Sequence, residues 1–289
     1  MPDPIKVLAT IHRAIDLFRA TPGRQGGLIT LDPEVEDVMV VGDLHGNIPT
    51  FRQVLGVADL ARHPKRHLIL QELIHGHRHY PEDGGDKSHQ LVDVVCALKC
   101  QYPDRVHLIL GNHELSELTH RPIAKGGVPL NALFRQGINT AYGTSGPLVY
   151  EAYRALFAAL PLAVRVPNRV YVCHTVPDPI DLDDFDTGIF ALDDWPDAAK
   201  ARHGAVYAIT WGRNTDAATV DRFATLVDAD LFVTGHQPCD DGFRQANHRQ
   251  LIIDGTDPYP AYCLFPAQTM LTIETLVGCA HLFPMPLDV

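Results

Sequence analysis

Residues 38–47 read Val38-Met39-Val40-Val41-Gly42-Asp43-Leu44-His45-Gly46-Asn47, an apolar run followed at once by a polar turn. The four apolar residues predict a short buried strand. The glycines and polar residues after them predict a turn, and a helix is predicted behind the turn from Pro49 to Leu60. Asp43 and His45 are therefore expected at the C-terminal end of a strand.

Four further apolar runs end in the same way, on side chains that can bind a metal ion. These runs are residues 67–70 before Gln71 and Glu72, residues 106–110 before Asn112 and His113, residues 170–173 before His174, and residues 231–234 before His236. Helices are predicted between them over residues 89–101, 148–160 and 219–228. This alternation predicts an α/β fold, in which functional sites form at the carboxyl ends of strands.

The remaining segments include one helix and one loop. Apolar residues at three- or four-residue intervals predict an amphipathic helix over residues 4–20, which ends before Thr21-Pro22-Gly23. The polar, glycine-containing stretch from Gly76 to Asp86 predicts a loop over the site, within an insertion at residues 76–88. The composition shows no boundary between halves, so residues 1–289 are interpreted as a single domain that begins with a helix in residues 1–20.

The composition is typical of a soluble globular protein, with 46% hydrophobic and 20% charged residues. A formal net charge of −11 argues against nucleic acid or an acidic membrane as a partner, because the long-range field repels polyanions. No apolar run approaches the roughly 20 residues of a membrane span, and we expect neither a signal peptide nor an anchor. Six cysteines without C-x-x-C spacing predict free thiols and a cytoplasmic location.

Carboxylate, amide and imidazole side chains are combined at the predicted strand ends. The glycines around Asp43 and His45 let the backbone turn so that both side chains can reach one cation. Asn112 and His113 offer an amide oxygen and an imidazole in adjacent positions. Such a mixture suits Mn²⁺, Fe or Zn²⁺ better than Ca²⁺ or an ion that prefers thiolates.

Four stretches of the chain together resemble the calcineurin-like metallophosphoesterases, and within them the phosphoprotein phosphatases. GDLHGN at 42–47 resembles the first signature of that family, and ALKCQYPDRVHLILGNHEL at 97–115 resembles the third. LFAALPLAVRVPNRVYVCHT at 156–175 and ADLFVTGHQPCDDGF at 229–243 resemble the stretches that carry the last two metal histidines. The resemblance runs from about Val38 to Asp254. It implies a four-layer α-β-β-α sandwich with two central mixed sheets.

The resemblance also implies a two-metal site at the C-terminal ends of the strands. Asp43, His45 and His236 would hold a first divalent ion, while Asn112 and His174 would hold a second. A water or hydroxide between two such ions, ~3.5–4 Å apart, attacks phosphorus in line with the leaving oxygen. Mn²⁺ is the expected metal, with Fe or Zn²⁺ as alternatives.

Two more residues receive catalytic roles from the resemblance. His113 would be the general acid that protonates the leaving group. Arg213, in the sequence Trp211-Gly212-Arg213, would clamp the phosphate oxygens.

The second signature departs from the family pattern G-D-x-x-D-R-G, because this chain has QELIHG at 71–76. Glu72 would replace the bridging aspartate, and His75 would replace the aspartate that orients the general acid. The usual arginine is missing, and Arg78 in the loop could substitute for it. Asp83 or Asp86 could supply the bridge instead, but neither follows an apolar strand directly as Glu72 does.

Several functions remain open at this point. The resemblance favours a phosphatase whose partner is a protein phosphorylated on serine or threonine. A small phosphoester is the alternative partner, because hydrolases of nucleotides or dinucleoside polyphosphates would share nearly all the metal ligands. A non-catalytic pseudophosphatase is the competing class. The altered second signature favours that class, whereas the intact His113 and remaining ligands favour catalysis.

Overall fold

The computed structural model describes residues 2–284; Met1 and residues 285–289, which the single-domain prediction includes, lie outside the described residues. The α-helices are α1 (Pro4–Arg19), α2 (Ile48–Ala58), α3 (His89–Gln101), α4 (Asn112–Thr119), α5 (Leu130–Tyr142), α6 (Gly146–Ala158), α7 (Pro179–Leu182), α8 (Asp197–Lys200), α9 (Ala205–Trp211), α10 (Ala217–Val227) and α11 (Ile273–Val277). The strands are β1 (Arg24–Gln25), β2 (Leu28–Thr30), β3 (Asp37–Val41), β4 (Arg66–Leu70), β5 (Val106–Leu108), β6 (Ala124–Lys125), β7 (Val128–Pro129), β8 (Ala163–Arg165), β9 (Val170–Cys173), β10 (Leu231–Thr234), β11 (Phe243–Gln245), β12 (Gln250–Ile253), β13 (Ala261–Pro266) and β14 (Ala280–Leu282).

Most strands belong to two mixed sheets. One sheet has seven strands in the order β1-β2-β8-β9-β10-β12-β11, and the other has five in the order β14-β13-β3-β4-β5. The neighbours β3, β4 and β5 are parallel, as are β9, β10 and β12. β6 and β7 form a separate hairpin. Five of these parallel strands carry the predicted ligands at their ends, namely β3, β4, β5, β9 and β10.

Alternation along the strands shows that the two sheets pack against each other. Val38 and Val40 of β3 are buried in one apolar cluster with Val172 of β9 and Val233 of β10. The intervening Met39 is buried in a second cluster that contains residues of the helices. Because successive side chains of a strand point to opposite faces, each sheet has one face toward the other sheet and one face under helices. The predicted four-layer α-β-β-α sandwich is confirmed.

The predicted helices are present, and capping residues account for the bounds of α2 and α10, whereas α6 lies two residues earlier than predicted. α1 and α3 match the predictions to within one residue at each end. The side chain of Asn47 accepts a hydrogen bond from the backbone nitrogen of Thr50 at 3.0 Å, and α2 ends at Asp59 in the left-handed conformation. Asp216 caps α10 through Thr219, so that helix begins two residues before the prediction. None of the helices in the described part of the chain is long and apolar enough to cross a bilayer.

Three ligand-bearing turns have a left-handed backbone at the predicted ligand itself. His45, Glu72 and His236 have φ values of 41°, 41° and 66°. Residues other than glycine adopt this conformation rarely, and such residues cluster at functional sites. Gly235 allows the last turn to approach the first, because a Cβ atom at this position would lie 2.4 Å from Oδ1 of Asp43. Backbone geometry thus brings the turns into contact.

Candidate metal centre

Two buried carboxylates meet where the strands end. Oδ2 of Asp43 accepts a hydrogen bond from the backbone nitrogen of His236 at 2.9 Å, while its Oδ1 is buried without a hydrogen-bond partner within residues 2–284. Oε1 of Glu72 accepts from the backbone nitrogen of His113 at 2.9 Å. A buried carboxylate oxygen without a partner is costly unless a cation compensates it.

Glu72 belongs to two groups of potential ligand atoms. It groups with His45 and His113 on one side and with Asp43 and His174 on the other, and the ligand atoms of each group lie within 4.8 Å of one another. Oε2 of Glu72 is 3.3 Å from Nε2 of His45, and Oε1 is 3.4 Å from Nε2 of His174. The two oxygens of one carboxylate thus face two different imidazoles, as a bridging ligand requires.

Asn112 and His236 complete the set on either side of His174. Oδ1 of Asn112 is 3.0 Å from Nε2 of His174, and the rings of His174 and His236 have centroids 5.0 Å apart. Nε2 of His236 is buried and has no hydrogen-bond partner in the described structure. Orphaned buried atoms of this kind fit metal ligation. The structure therefore brings together all six predicted ligands, which are Asp43, His45, Glu72, Asn112, His174 and His236.

The ionisation of these groups also fits a positively charged occupant. Burial raises the pKa of Asp43 and of Glu72 well above the usual carboxyl range, and neighbouring carboxylates raise it further, Asp254 for the first and Asp43 for the second. Burial lowers the pKa of His45 to about 4 and that of His236 to about 3. Both imidazoles are therefore neutral at pH 7, which is the form that binds metal.

Two hydrogen bonds orient the ligand imidazoles from behind. Nδ1 of His45 lies 2.8 Å from the carbonyl oxygen of Ile74, and Nδ1 of His174 lies 3.0 Å from Oε1 of Gln71. Each ring donates from Nδ1 to an oxygen, so each Nε2 is unprotonated and faces the Glu72 carboxylate. Such partners determine the tautomer and orientation of metal-binding histidines. The sequence interpretation gave Gln71 no role.

His113 is connected to a second histidine and a buried glutamate. Nδ1 of His113 is 2.8 Å from Nδ1 of His75, and Nε2 of His75 is 3.0 Å from Oε1 of Glu117. The side chains of His75 and Glu117 are fully buried. His75 therefore contacts the expected general acid, as the resemblance implied, whereas Glu117 was not predicted. Its spacing of four residues from His113 on a helix was the signal that could have identified it.

The cluster opens into a cavity of about 710 Å³. Arg213 lines it, and the backbone nitrogen of Arg213 donates to Oδ1 of Asp178 at 2.8 Å. Lys125 of the β6–β7 hairpin lines it as well, together with His77 and His79 of the loop. Arg213 and Lys125 provide local positive charge in a protein whose net charge is −11. Lys125 was missed because a lone lysine in a short hairpin has no sequence pattern.

Arg78 is not brought to this cavity in the described structure. Its side chain is exposed, and its carbonyl oxygen accepts a hydrogen bond from the backbone nitrogen of Lys87 at 2.9 Å. The cavity lining includes the neighbouring His77 and His79 instead. The Arg78 side chain is therefore exposed outside the cavity lining, whereas Lys125 of the β6–β7 hairpin belongs to that lining.

Asp83 and Asp86, the alternatives to Glu72, form hydrogen bonds with residues in and beside the loop. Oδ2 of Asp86 accepts from the backbone nitrogen of Gly76 at 3.1 Å and from the Ser88 hydroxyl at 2.7 Å, which closes the base of the loop. Oδ1 of Asp83 accepts from the backbone nitrogen of Gly85 at 2.9 Å. Their contacts favour Glu72 as the shared carboxylate.

The chain resembles characterised families in both sequence and structure. A family model described as calcineurin-like phosphoesterase matches residues 37–240. A probable serine/threonine-protein phosphatase of Encephalitozoon cuniculi is 27% identical in an alignment 230 residues long, which covers 72% of this chain and 44% of that relative. The chain therefore spans less than half the length of this curated relative.

Solved structures share the fold at low sequence identity. A protein serine/threonine phosphatase of Saccharomyces cerevisiae superposes with a TM-score of 0.67 at 18% identity, over 91% of this chain and 82% of that one. A cold-active protein-tyrosine phosphatase of a Shewanella species superposes with a TM-score of 0.58 at 13% identity, over 92% and 84% of the two chains. At these identities the similarity establishes the architecture alone.

Proposed function

This chain belongs to the calcineurin-like phosphoesterase family, and we propose that it is a metal-dependent phosphatase that hydrolyses phosphoserine and phosphothreonine in proteins. One observation carries the proposal: the two oxygens of Glu72 face His45 and His174 at 3.3 Å and 3.4 Å, so a single carboxylate joins two groups of ligand atoms. In a non-catalytic pseudophosphatase, sequence drift would be expected to replace some of these ligands.

Two divalent ions would be held by six side chains, those of Asp43, His45, Glu72, Asn112, His174 and His236. Glu72 would be shared, and the orphaned Oδ1 of Asp43 and Nε2 of His236 would gain the partner that they lack. When bound, such a pair of ions supplies Lewis acidity and activates water for attack on phosphorus. We propose Mn²⁺, because carboxylate, amide and imidazole ligands occur together and thiolates are absent from the ligand groups found in residues 2–284.

The protein's own side chains would bind the phosphate and supply the proton. Arg213 and Lys125 line the cavity, where they can neutralise the phosphate oxygens and the charge that builds up in the transition state. His113 would donate a proton to the leaving serine or threonine oxygen, which is a poor leaving group when unprotonated. The hydrogen bond from the backbone nitrogen of His113 to Glu72 holds this histidine next to the metal ligands.

The choice of a protein substrate rests on two supports. A relative whose sequence aligns with 72% of this chain is named a probable serine/threonine-protein phosphatase. The cavity is bordered by exposed residues such as Lys125, Val128 and Arg213, so a side chain projecting from a protein surface could enter it. The six cysteines are free, which supports a reducing compartment such as the cytoplasm.

Metal analysis combined with hydrolysis assays tests the proposal. The purified chain should contain up to two divalent ions and should dephosphorylate phosphoserine and phosphothreonine peptides faster than phosphotyrosine peptides or nucleotides when Mn²⁺ is added. His113→Ala should lower turnover by roughly 10²–10⁴-fold with metal content unchanged, whereas Asp43→Asn should lose metal and activity together. A protein that binds two ions and hydrolyses none of these esters would be a pseudophosphatase, and preferred hydrolysis of nucleotides would overturn the substrate assignment.

A further inference from the structure

Glu117 is a fully buried carboxylate with three hydrogen-bond donors around it. Oε1 lies 3.0 Å from Nε2 of His75 and accepts from the side-chain amide of Asn131 at 2.7 Å. Oε2 accepts from the hydroxyl of Tyr150 at 2.6 Å. Burial alone would raise the pKa of Glu117, but the hydrogen bonds from His75, Tyr150 and Asn131 outweigh it and lower the pKa. These hydrogen bonds therefore favour the ionised form of the Glu117 carboxyl group.

The hydrogen bonds between Glu117 and the general acid have one consistent direction. An ionised carboxylate can only accept, so Nε2 of His75 donates to Glu117. In the tautomer of His75 that carries its proton on Nε2, Nδ1 is unprotonated and accepts from Nδ1–H of His113, 2.8 Å away. Nε2 of His113 takes no part in these hydrogen bonds and is therefore the nitrogen left to donate a proton to the leaving group.

We infer that Glu117 positions the general acid His113 through His75. The negative charge near His113 would come from a glutamate two hydrogen bonds away, because His75 stands in place of the usual aspartate. The inference rests on the proposed function. It is carried by the continuous chain of contacts from Glu117 to His75 and on to His113. Glu117 would fix the orientation of the His113 ring and the direction of its Nδ1 hydrogen bond to His75.

The chemistry of residue 75 explains why an imidazole can serve here. Nδ1 of a histidine and Oδ of an aspartate are both three bonds from Cα, so the two atoms can reach the same position. The imidazole then extends further, and its Nε2 contacts Glu117. His75 has a φ of 64°, a left-handed conformation in which asparagine and aspartate are also well tolerated. The ring also packs edge-on against Phe134, with centroids 5.8 Å apart.

Leaving-group dependence separates a positioning role from a merely structural one. Phenolate leaves poorly and needs a proton, whereas 2,4-dinitrophenolate leaves readily without one. Glu117→Gln should therefore lower kcat for phenyl phosphate by roughly 10–100-fold and change kcat for 2,4-dinitrophenyl phosphate by less than about threefold, with metal content unchanged. Asp93→Asn is the matched control. Asp93 likewise accepts a hydrogen bond from a buried tyrosine hydroxyl, that of Tyr153 at 2.6 Å, but within residues 2–284 it has no hydrogen bond to His75 or His113. Asp93→Asn should leave the ratio of the two rates unaltered.

A second pair of variants tests the same chain of contacts with Glu117 in place. His75→Asn provides an uncharged acceptor for Nδ1 of His113 and should show the same selective loss on phenyl phosphate. His75→Asp restores a charge in direct contact and should recover most of the activity. Proton NMR of the nitrogen-15-labelled, metal-free protein gives a readout independent of turnover. The proton that His75 shares with Glu117 should resonate far downfield in the wild type, and this resonance should disappear in Glu117→Gln.

The outcomes distinguish this inference from the proposed function. If the wild-type protein with two bound metal ions hydrolyses neither ester, the proposed function fails. If the wild-type protein hydrolyses both and Glu117→Gln slows the two esters equally or not at all, Glu117 does not act through the general acid. Retention of activity on phenyl phosphate by His75→Asn would overturn the inference in the same way.

Discussion

The backbone nitrogen of His113 donates a hydrogen bond to Oε1 of Glu72 at 2.9 Å. The shared carboxylate of the ligand set and the expected general acid are therefore joined directly, although 41 residues separate them in the sequence. Any change in the length of residue 72 must alter both the metal ligands and the position of His113.

The first prediction concerns the length and charge of Glu72. Glu72→Gln should weaken the binding of at least one metal ion and reduce turnover by more than about tenfold, because an amide cannot neutralise two cations. Glu72→Asp keeps the charge but shortens the side chain by one methylene, so it should also impair turnover. Metal content and peptide dephosphorylation measure both effects. Near-normal activity of Glu72→Gln, with loss of metal in Asp83→Asn or Asp86→Asn, would assign the bridge to the loop.

The second prediction concerns the close approach of the turn after β10 to Asp43. In Gly235→Ala the new methyl group would lie 2.4 Å from Oδ1 of Asp43 and 2.7 Å from the side-chain carbonyl of Gln71. It should displace the ligand carboxylate and reduce metal affinity by roughly 10–100-fold. Gly56→Ala is the control, since a Cβ atom there meets open space on α2 and should stabilise the helix by ~0.5–1 kcal/mol. Equal metal affinities in the two variants would contradict the prediction.

The third prediction compares the basic residues around the cavity. Lys125→Ala should raise KM for a phosphopeptide by about tenfold with metal content unchanged, because Lys125 lines the cavity and would neutralise phosphate charge. Arg213→Ala should lower turnover as well. Arg78→Ala should leave both parameters within about twofold, because its side chain is exposed outside the cavity lining found in residues 2–284. Steady-state kinetics of the three variants measure KM and turnover for each. A change in Arg78→Ala as large as that in Lys125→Ala would show that the Arg78 side chain binds the phosphate in solution.

The fourth prediction concerns a buried lysine away from the site. Burial lowers the pKa of Lys99 to about 7, although its ammonium donates to Thr21, Pro103 and Val106. Between pH 7 and about 10 the unfolded chain then binds more protons than the folded one, so stability should rise with pH, by at most about 1.4 kcal/mol per pH unit. Urea unfolding at several pH values should show this rise in the wild type relative to Lys99→Met. A constant difference between the two proteins would mean that the pKa of Lys99 is not depressed.

Much of the architecture could be predicted from local sequence. The buried strand at 38–41 and the strands ending at Cys173 and Thr234 have the predicted bounds to within one residue, because short apolar runs bounded by polar turns are a local signal. α4 was missed. Its eight residues include the buried polar side chains of Glu114, Ser116 and Glu117, so it lacks the apolar periodicity that identifies a helix.

Residue types and spacing along the chain were enough to predict the α/β class, and the order of the motifs, through the family resemblance, was enough to predict the two-sheet sandwich and to propose six ligands. Only the tertiary structure showed that Glu72 faces two imidazoles whereas Asp83 and Asp86 bond within the loop. It alone left Arg78 outside the cavity lining and brought Glu117 to His75. Each of these outcomes depends on which side chains meet across elements far apart in sequence, as His75 and Glu117 do over 42 residues. Periodicity specifies which face of a strand or helix is buried, but the packing of sheets and loops determines the contacts between them.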